Sequence, residues 1–254
     1  MKNSAIILST ILSLSIAFTG CRQQTKTTDD SVSDLLGAES VATSDPANRD
    51  SVLSKYNELK TESARRRDTE FVFNPNELQT LVQKYTHLPL EEALVAIHKE
   101  LMARHPGKIM EKYRFIFNDA GAALGQVAIL YASVSEYLIF FGSPISTGGF
   151  SGRYPKVEFY DVMIAGEMTT VIEGQTKASV YRPGDMAHLA PGVAKGYRID
   201  KSGWMLEYSR GSMISNFPFG VIGPALYITM DWRSAWNQII DFLAAIKKSS
   251  GRSQ

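Results

Sequence analysis

The sequence predicts an α+β chain whose folded part is an antiparallel barrel or sandwich with helices before and after it. Three observations carry this. From about residue 133 the chain runs in short stretches rich in β-branched and aromatic residues, "SVSEYLIFFG", "VEFYDVMIAGEMTTVIEGQ", "ASVYRPGDMAHLAPG", "AKGYRID" and "GWMLEYSRG", separated by turn residues. Two stretches of helical period precede them. A third, amphipathic, follows.

Composition bounds what the chain does. Its 254 residues, 44% apolar and 21% charged, suffice for one sizeable core and at most a small extra domain. With 27 basic against 26 acidic residues there is no basic surplus for a polyanion, and no nucleic-acid motif, so nucleic acid is not expected as a partner.

The opening "MKNSAIILSTILSLSIAFTGC" has a lysine, an apolar stretch from Ala5 to Phe18 and small residues before Cys21, the features of a secretory signal over residues 1–20. Its end, "FTGC", resembles a bacterial lipobox, which would make Cys21 the lipid-modified start of the mature protein. An ordinary signal peptide and an uncleaved anchor are the alternatives. Cys21 is the sole cysteine, so no disulfide forms within the chain. The expected location is a bacterial cell envelope, with lipid at Cys21; Arg22 after that cysteine favours the outer membrane. Residues 21–70 are polar and cannot bury enough surface to offset their ordering entropy, which reads as a largely disordered tether with a short helix around Val52 to Arg65. The run Arg65, Arg66, Arg67 is a solvated face or a contact to anionic lipid.

The folded domain is expected over 71–248. "FNPNE" gives an Asn cap, Pro at the first helical position and Glu soon after, starting a helix that runs to about Tyr85. "LPLEEALVAIHKELMARHPG" gives a second, with Leu90, Leu94, Ile97 and Leu101 in one stripe. The stretch Ala122 to Phe141 is nearly long enough to span a bilayer, but Gln126 and Glu136 interrupt it; it divides into a buried helix at about 120–132 and a strand at about 136–142. The barrel is placed at about 136–215 and a pair of helices at about 216–248. In the last helix Trp232, Trp236, Ile239, Ile240, Leu243 and Ile246 form one stripe, which either packs on the core or lies in a membrane interface.

Candidate chemistry centres on two acids. In "WMLEYSRG" Glu207 shares a strand face with Met205 and Ser209; in "VEFYDVMIAG" Asp161 shares one with Val157, Phe159 and Met163. Burying a charge is costly unless it is paired or neutralised. If both side chains enter one barrel lumen, one of them holds a proton near neutral pH and the pair titrates as a unit. Otherwise each pairs with an arginine such as Arg153, Arg182 or Arg210, or faces water. The turn "PGD" before His188 is similar to a metal-binding motif of cupins, but the first-motif His-x-His is missing and no other histidine follows residue 105, so no metal and no cofactor are expected and His188 is a structural or pocket-lining group. There is no G-x-S-x-G elbow or phosphate loop.

Several motifs in order, "HPG" at 105–107, "SVSEYLIFFG" at 133–142, "GGFSGRY" at 148–154, "DVMIAGE" at 161–167, "YRPGD" at 181–185, "PGVAKGYRI" at 191–199, "WMLEYSRG" at 204–211 and "FPFG" at 217–220, resemble the family of fungal sterol C-8 isomerase and the sigma receptor. The resemblance covers about residues 71–245. It implies a cupin-like antiparallel barrel with an occluded apolar pocket, membrane-facing terminal helices and, as in the sigma receptor, a homotrimer. The family's ligand-binding glutamate falls on Glu207, its partner aspartate on Asp161, its pocket aromatics on Tyr137 and Phe141, and its strand-start glutamate on Glu136, a structural residue. Phe159, Met163, Met205 and His188 complete the expected substrate-binding set. The implied activity moves a sterol double bond from C8 to C7 by acid–base chemistry of the two carboxyls; the alternative is a non-catalytic binder of amphipathic amines or lipids.

Overall fold

The computed structural model describes residues 71–213 and 218–251, with the isolated positions 54, 57 and 58, which are helical. The chain divides into units Met1–Asp45 and Pro46–Gln254. The expected signal, Cys21, nearly all of the tether and the run Arg65 to Arg67 lie outside the described residues.

Helix α1, Pro75–Gln83, starts where Asn74 caps it: its side chain accepts from the Asn76 amide at 2.9 Å, and Pro75 takes a first-turn position where no amide hydrogen is needed. Helix α2, Leu90–Arg104, buries Ala93, Leu94, Ile97 and Leu101. Both helices lay these faces on one side of a sheet, against Leu138, Phe140, Val162, Ile164 and Leu206.

The sheet has eight antiparallel strands: β1 Ile116–Ala120, β2 Ala123–Ala132, β3 Glu136–Ser143, β4 Thr147–Phe150, β5 Val157–Ile172, β6 Ser179–Tyr181, β7 Met186–Leu189 and β8 Lys195–Gly211. The helix expected at about 120–132 is instead strand β2. Its Ala- and Leu-rich composition favours a helix, but Gly121 and Ala122 both adopt positive φ and form a two-residue hairpin turn, with Asp119 Oδ1 accepting from the Ala122 amide at 2.9 Å. Once turned, β2 pairs with β1 on one side and β3 on the other.

The strand order is β1-β2-β3-β8-β5-β6, with β4 added on β8 and β7 on β5. The sheet curls but does not close, which corrects the expected closed barrel. Its β1 edge is met by the C-terminal segment and not by another strand. Curvature comes from the long β5–β8 ribbon, whose register shifts between Met163 and Ala165 and again between Gly166 and Met168. Gly166 sits there at φ +77°, where a Cβ would lie 2.1 Å from the Ser202 carbonyl oxygen; only glycine fits this bend.

After β8, residues 218–229 form one continuous helical segment, π-helical over Pro218–Ile222 and Ala225–Thr229, and α3, Trp232–Ser249, follows it, so two helical segments stand where a pair was expected. Polar clamps hold α3 across β1 and β2. Arg114 makes two 2.9 Å bonds to the Asp241 carboxylate, the Gln238 amide donates to the Phe117 carbonyl at 3.1 Å, and Ser249 Oγ donates to the Ala132 carbonyl at 2.7 Å. The face turned to the sheet carries Ala235, Gln238 and Ala245, small or polar residues that permit close approach. Trp232, Trp236, Ile240 and Leu243 therefore point outward and are exposed, which excludes core packing for them. Among the described residues no helix is long and apolar enough to cross a membrane.

One buried carboxylate ties the first helical layer to the sheet. Glu136, at the start of β3, accepts from the amides of Val72 (2.9 Å) and Phe73 (3.3 Å) and from the Tyr208 hydroxyl (2.8 Å). A carboxamide presents one acceptor oxygen where the carboxylate offers two, so Glu136→Gln leaves a buried donor unmet. The expected cost is about 1–3 kcal/mol, read as a lower urea midpoint with unchanged slope; an unaltered midpoint would refute the anchoring role.

Candidate functional site

Between the concave side of the sheet and α3 lies a cavity of about 200 Å³. Its walls are mainly apolar: Val127, Ile139, Phe141 and Met205 from the strands, Phe242 and Ile246 from α3. Two carboxyl groups enter this space.

Asp161 on β5 and Glu207 on β8 are direct cross-strand partners. Such partners project to the same face, so the pairing register alone brings both acids to the cavity side. Each also has a partner of its own. The Tyr137 hydroxyl donates to Glu207 Oε1 at 2.5 Å, and the Lys195 ammonium forms an ion pair with Asp161 Oδ2. Arginines do not take that place: Arg153 pairs with Glu173, Arg182 with Glu167, and Arg210 with Glu158.

Glu207 is half-buried: one side faces the cavity and the rest of the carboxyl is packed around by protein. Burial pushes its pKa up to about 7, helped by the negative charge of Asp161; the Tyr137 hydrogen bond and the Lys195 charge pull the other way. The Tyr137 hydroxyl is raised well above its ordinary value, by burial first and then by Glu207, and so stays a hydrogen-bond donor. The arrangement supplies, in a greasy chamber, one carboxyl poised between its acid and base forms near neutral pH, next to a fixed ion pair.

Of the residues expected to line a pocket, Tyr137, Phe141, Phe159 and Met205 do so. Met163 is fully buried in the core cluster that contains Phe141 and Met205, but packs behind the wall. His188 is on the opposite side of the sheet, which corrects the pocket-lining expectation. Its cross-strand partner is Tyr160, whose ring it stacks on at 4.4 Å, and its Nε2 lies 3.1 Å from Glu158 Oε2. The cavity-facing residue of β7 is its neighbour Ala187, opposite Asp161. Burial works against an ionised Glu158, but hydrogen bonds from His188 and Arg210 outweigh it and hold the carboxyl below its ordinary range.

Sequence reading missed Lys195, Tyr154, Tyr197 and the α3 contributors Gln238, Phe242 and Ile246, all of which line the cavity. Alternation in "AKGYR" does place Lys195 and Tyr197 on one face. That this face meets the one bearing Glu207 depends on how β8 bends between its two halves, near Lys201 at φ +60°, and this has no signature in residue spacing.

Comparison with known proteins gives a family match and several relatives. The model of the family described as ERG2 and Sigma1 receptor like protein matches residues 53–249. The chain is 38% identical over 161 residues to a protein erg2 homolog from Dictyostelium discoideum, covering 62% of this chain and 68% of that one. It is 36% identical over 164 residues to sigma non-opioid intracellular receptor 1 from Gallus gallus (64% and 73% covered) and 34% identical over 170 residues to C-8 sterol isomerase erg2 from Aspergillus fumigatus (65% and 70%). Among solved structures, an RmlC-like cupin from Shewanella frigidimarina aligns with a TM-score of 0.34 and 14% identity over 42% of this chain and 96% of that one.

The raised Glu207 pKa has a consequence for stability. In the unfolded chain this carboxyl titrates near 4.5, in the fold near 7. Between those values the native state holds a proton that the unfolded state has released, so stability falls as pH rises through that window and levels off above it. The expected loss is about 3 kcal/mol. Glu207→Gln, which cannot ionise, should lack it. Urea unfolding of both proteins at pH 5 and pH 8 measures the difference; equal slopes would place the titration elsewhere.

Proposed function

The chain belongs to the ERG2 and Sigma1 receptor like protein family, and from that premise we propose that it is a sterol C-8 isomerase-like protein that moves a ring double bond from C8 to C7 in an uncharged lipid held in the cavity. The observation that carries this reading is Glu207, a carboxyl with a pKa raised to about 7 inside an apolar chamber, beside a second carboxylate.

The chemistry asks for three things, and the site offers each. Protonating the double bond at C9 needs an acid that still carries its proton near neutral pH; Glu207 does. The tertiary cation at C8 is stabilised by nearby negative charge, which Glu207 provides once it has given up its proton and Asp161 provides beside it. Loss of the C7 proton to a carboxylate of the pair completes the shift and restores the protein's charge. Phe141, Phe159, Met205 and Phe242 surround the reacting rings with hydrocarbon and exclude the water that would capture the cation. Tyr137 fixes the Glu207 carboxyl through its hydroxyl. The second reading, a non-catalytic binder of amphipathic amines like the sigma receptor, draws on the same carboxylates, and turnover of a sterol separates the two.

The proposal extends to the surroundings of the domain. Leu226, Tyr227, Ile228, Met230, Trp232, Trp236, Ile240 and Leu243 are exposed along the C-terminal segment and α3. Such a face suits a membrane interface, where tryptophan is favoured and whence an apolar substrate would come. A lipid anchor at Cys21, residence in a cell envelope and a homotrimer belong to the same reading.

Supplied with a C8-unsaturated sterol, the purified protein is expected to form the C7 isomer, and Glu207→Gln to do so roughly 10²-fold more slowly or worse. Equal conversion by both, or none by either, ends the catalytic reading. For the membrane face, Trp232→Ser with Trp236→Ser should weaken co-sedimentation with lipid vesicles by roughly tenfold or more, while circular dichroism stays unchanged; undiminished binding would remove α3 from the interface.

A further inference from the structure

The chamber that holds the two acids has a second polar place. Asn118 of β1 and Gln238 of α3 both line it, and β1 is separated from β8, which carries Glu207, by β2 and β3. The strands between present hydrocarbon to the cavity, Val127 from β2 and Phe141 from β3. The two amides are joined to each other and to the backbone: Asn118 Nδ2 donates to Gln238 Oε1 at 3.1 Å and to the Gly220 carbonyl at 3.3 Å, and Gln238 Nε2 donates to the Phe117 carbonyl at 3.1 Å. Gln238 is only 4% exposed, so the pair is an interior feature. With Val221 it also lines a second cavity of about 310 Å³ and forms a polar septum between the two spaces.

Joining α3 to β1 uses only part of what these amides offer. A carboxamide carries two N–H donors and one acceptor oxygen. The bonds above engage both N–H groups of Asn118, the oxygen of Gln238 and one of its N–H groups; Asn118 Oδ1 and the other Gln238 N–H have no partner among the described residues. One free acceptor and one free donor on adjoining side chains are the complement of a hydroxyl, which donates one hydrogen and accepts another. The serines of the wall are already engaged: Ser151 Oγ donates to the Gly152 carbonyl and accepts from the Lys195 amide, and Ser133 Oγ accepts from the amides of Ser135 and Glu136. Tyr154 and Tyr197 stand with the acids, their hydroxyls raised by burial first and then by the charge of Glu207.

We propose that the Asn118–Gln238 pair is a hydroxyl-binding subsite that sets the direction of the ligand: the ring hydroxyl of a sterol donates to Asn118 Oδ1 and accepts from Gln238 Nε2, so that the ring system lies along the apolar wall with its inner double bond toward Glu207. The inference deepens the proposed function, on which it rests for the sterol as ligand. Hydrocarbon walls alone do not tell one end of a flat ring system from the other, whereas one polar contact remote from the reacting carbons does. Neither amide titrates, so the anchor adds no charge to the chamber and leaves the negative charge that faces the C8 cation undiminished.

The test titrates a C8-unsaturated sterol and, separately, its 3-ketone into the full chain and its variants, and follows conversion of the sterol by the wild type. The ketone accepts from Gln238 as the hydroxyl does but has no hydrogen to give to Asn118 Oδ1. The wild type is expected to bind the sterol roughly tenfold more tightly than the ketone. Asn118→Leu, which keeps the bulk and removes the acceptor, should bring the two affinities to within about threefold of each other; Asn118→Asp, which keeps an acceptor oxygen, should retain the preference. A residue that only clamps α3 would lower both affinities together and leave their ratio unmoved. Equal binding of sterol and ketone by a wild type that isomerises the sterol overturns the inference and leaves the proposed function standing. A preference that persists in Asn118→Leu places the hydroxyl elsewhere and also overturns it. A preference abolished by Asn118→Leu, in a wild type that converts no sterol, supports the inference and overturns the catalytic reading. Absence of binding of either compound to the wild type overturns both.

Discussion

The register of β5 against β8 is the constraint on which the rest depends. Strand side chains alternate between faces, and partners across a ladder share a face. Pairing Asp161 with Glu207, Tyr160 with Tyr208 and Glu158 with Arg210 therefore sorts the ribbon into two chemistries. Toward α1 and α2 it presents aromatic and aliphatic side chains and an ion pair closed on itself. Toward α3 it presents the two acids. A slip of β8 by one residue would send Arg210 and Tyr208 into the cavity and turn Glu207 to the helical layer, parting it from Asp161. The sorting is enforced by the packing on the helix side, where Val162, Ile164 and Leu206 are in the core, and by Glu158 and Arg210, which are almost inaccessible and have each other. The register is thus set away from the site that it creates.

The two faces treat charge differently for a reason that can be traced to hydrogen bonding. Glu158 receives donors from Arg210, Tyr160 and His188, enough to satisfy a buried carboxylate, and its pKa is held down. Glu207 has the Tyr137 hydroxyl and a lysine engaged elsewhere, too little to offset burial beside a second negative charge, and its pKa is raised. Two glutamates on neighbouring strands thus differ in the cost of ionising. A group that is under-solvated in this way is a poor contributor to stability and a good candidate for moving protons.

Much of the sheet-forming sequence was legible because it obeys period two. The alternation in "VEFYDVMIAG" and "WMLEYSRG" assigned Asp161 and Glu207 to apolar faces, and those are the faces that line the cavity. Two kinds of information were not legible. One was conformational: "AGAALGQVAILYA" has helical composition, and only the positive φ of Gly121 and Ala122, followed by pairing with partners on both sides, makes it a strand. The other was long-range. Parity on β7 does not say which residue faces the cavity until its register with β5 is known, so His188 and Ala187 exchange roles on a difference of one position. The same holds for Lys195, brought to Asp161 by a bend in β8 remote from both.

An open sheet gives the cavity a property that a closed barrel would lack. A closed barrel fixes its lumen by continuous backbone pairing, so access requires strands to part. Here one wall of the chamber is α3, held by side-chain bonds such as Arg114–Asp241 and Gln238 to the Phe117 carbonyl. Exposed ion pairs of this sort are individually weak, of order 1 kcal/mol or less, whereas separating paired strands breaks a ladder of backbone bonds at once. The wall formed by α3 is thus joined to the sheet by side chains, including Phe242 and Ile246 packed on the core, while the two acids sit on the backbone-paired β5–β8 ribbon. Placing the charged groups and closing the apolar chamber are separate tasks, and the fold assigns them to separate elements.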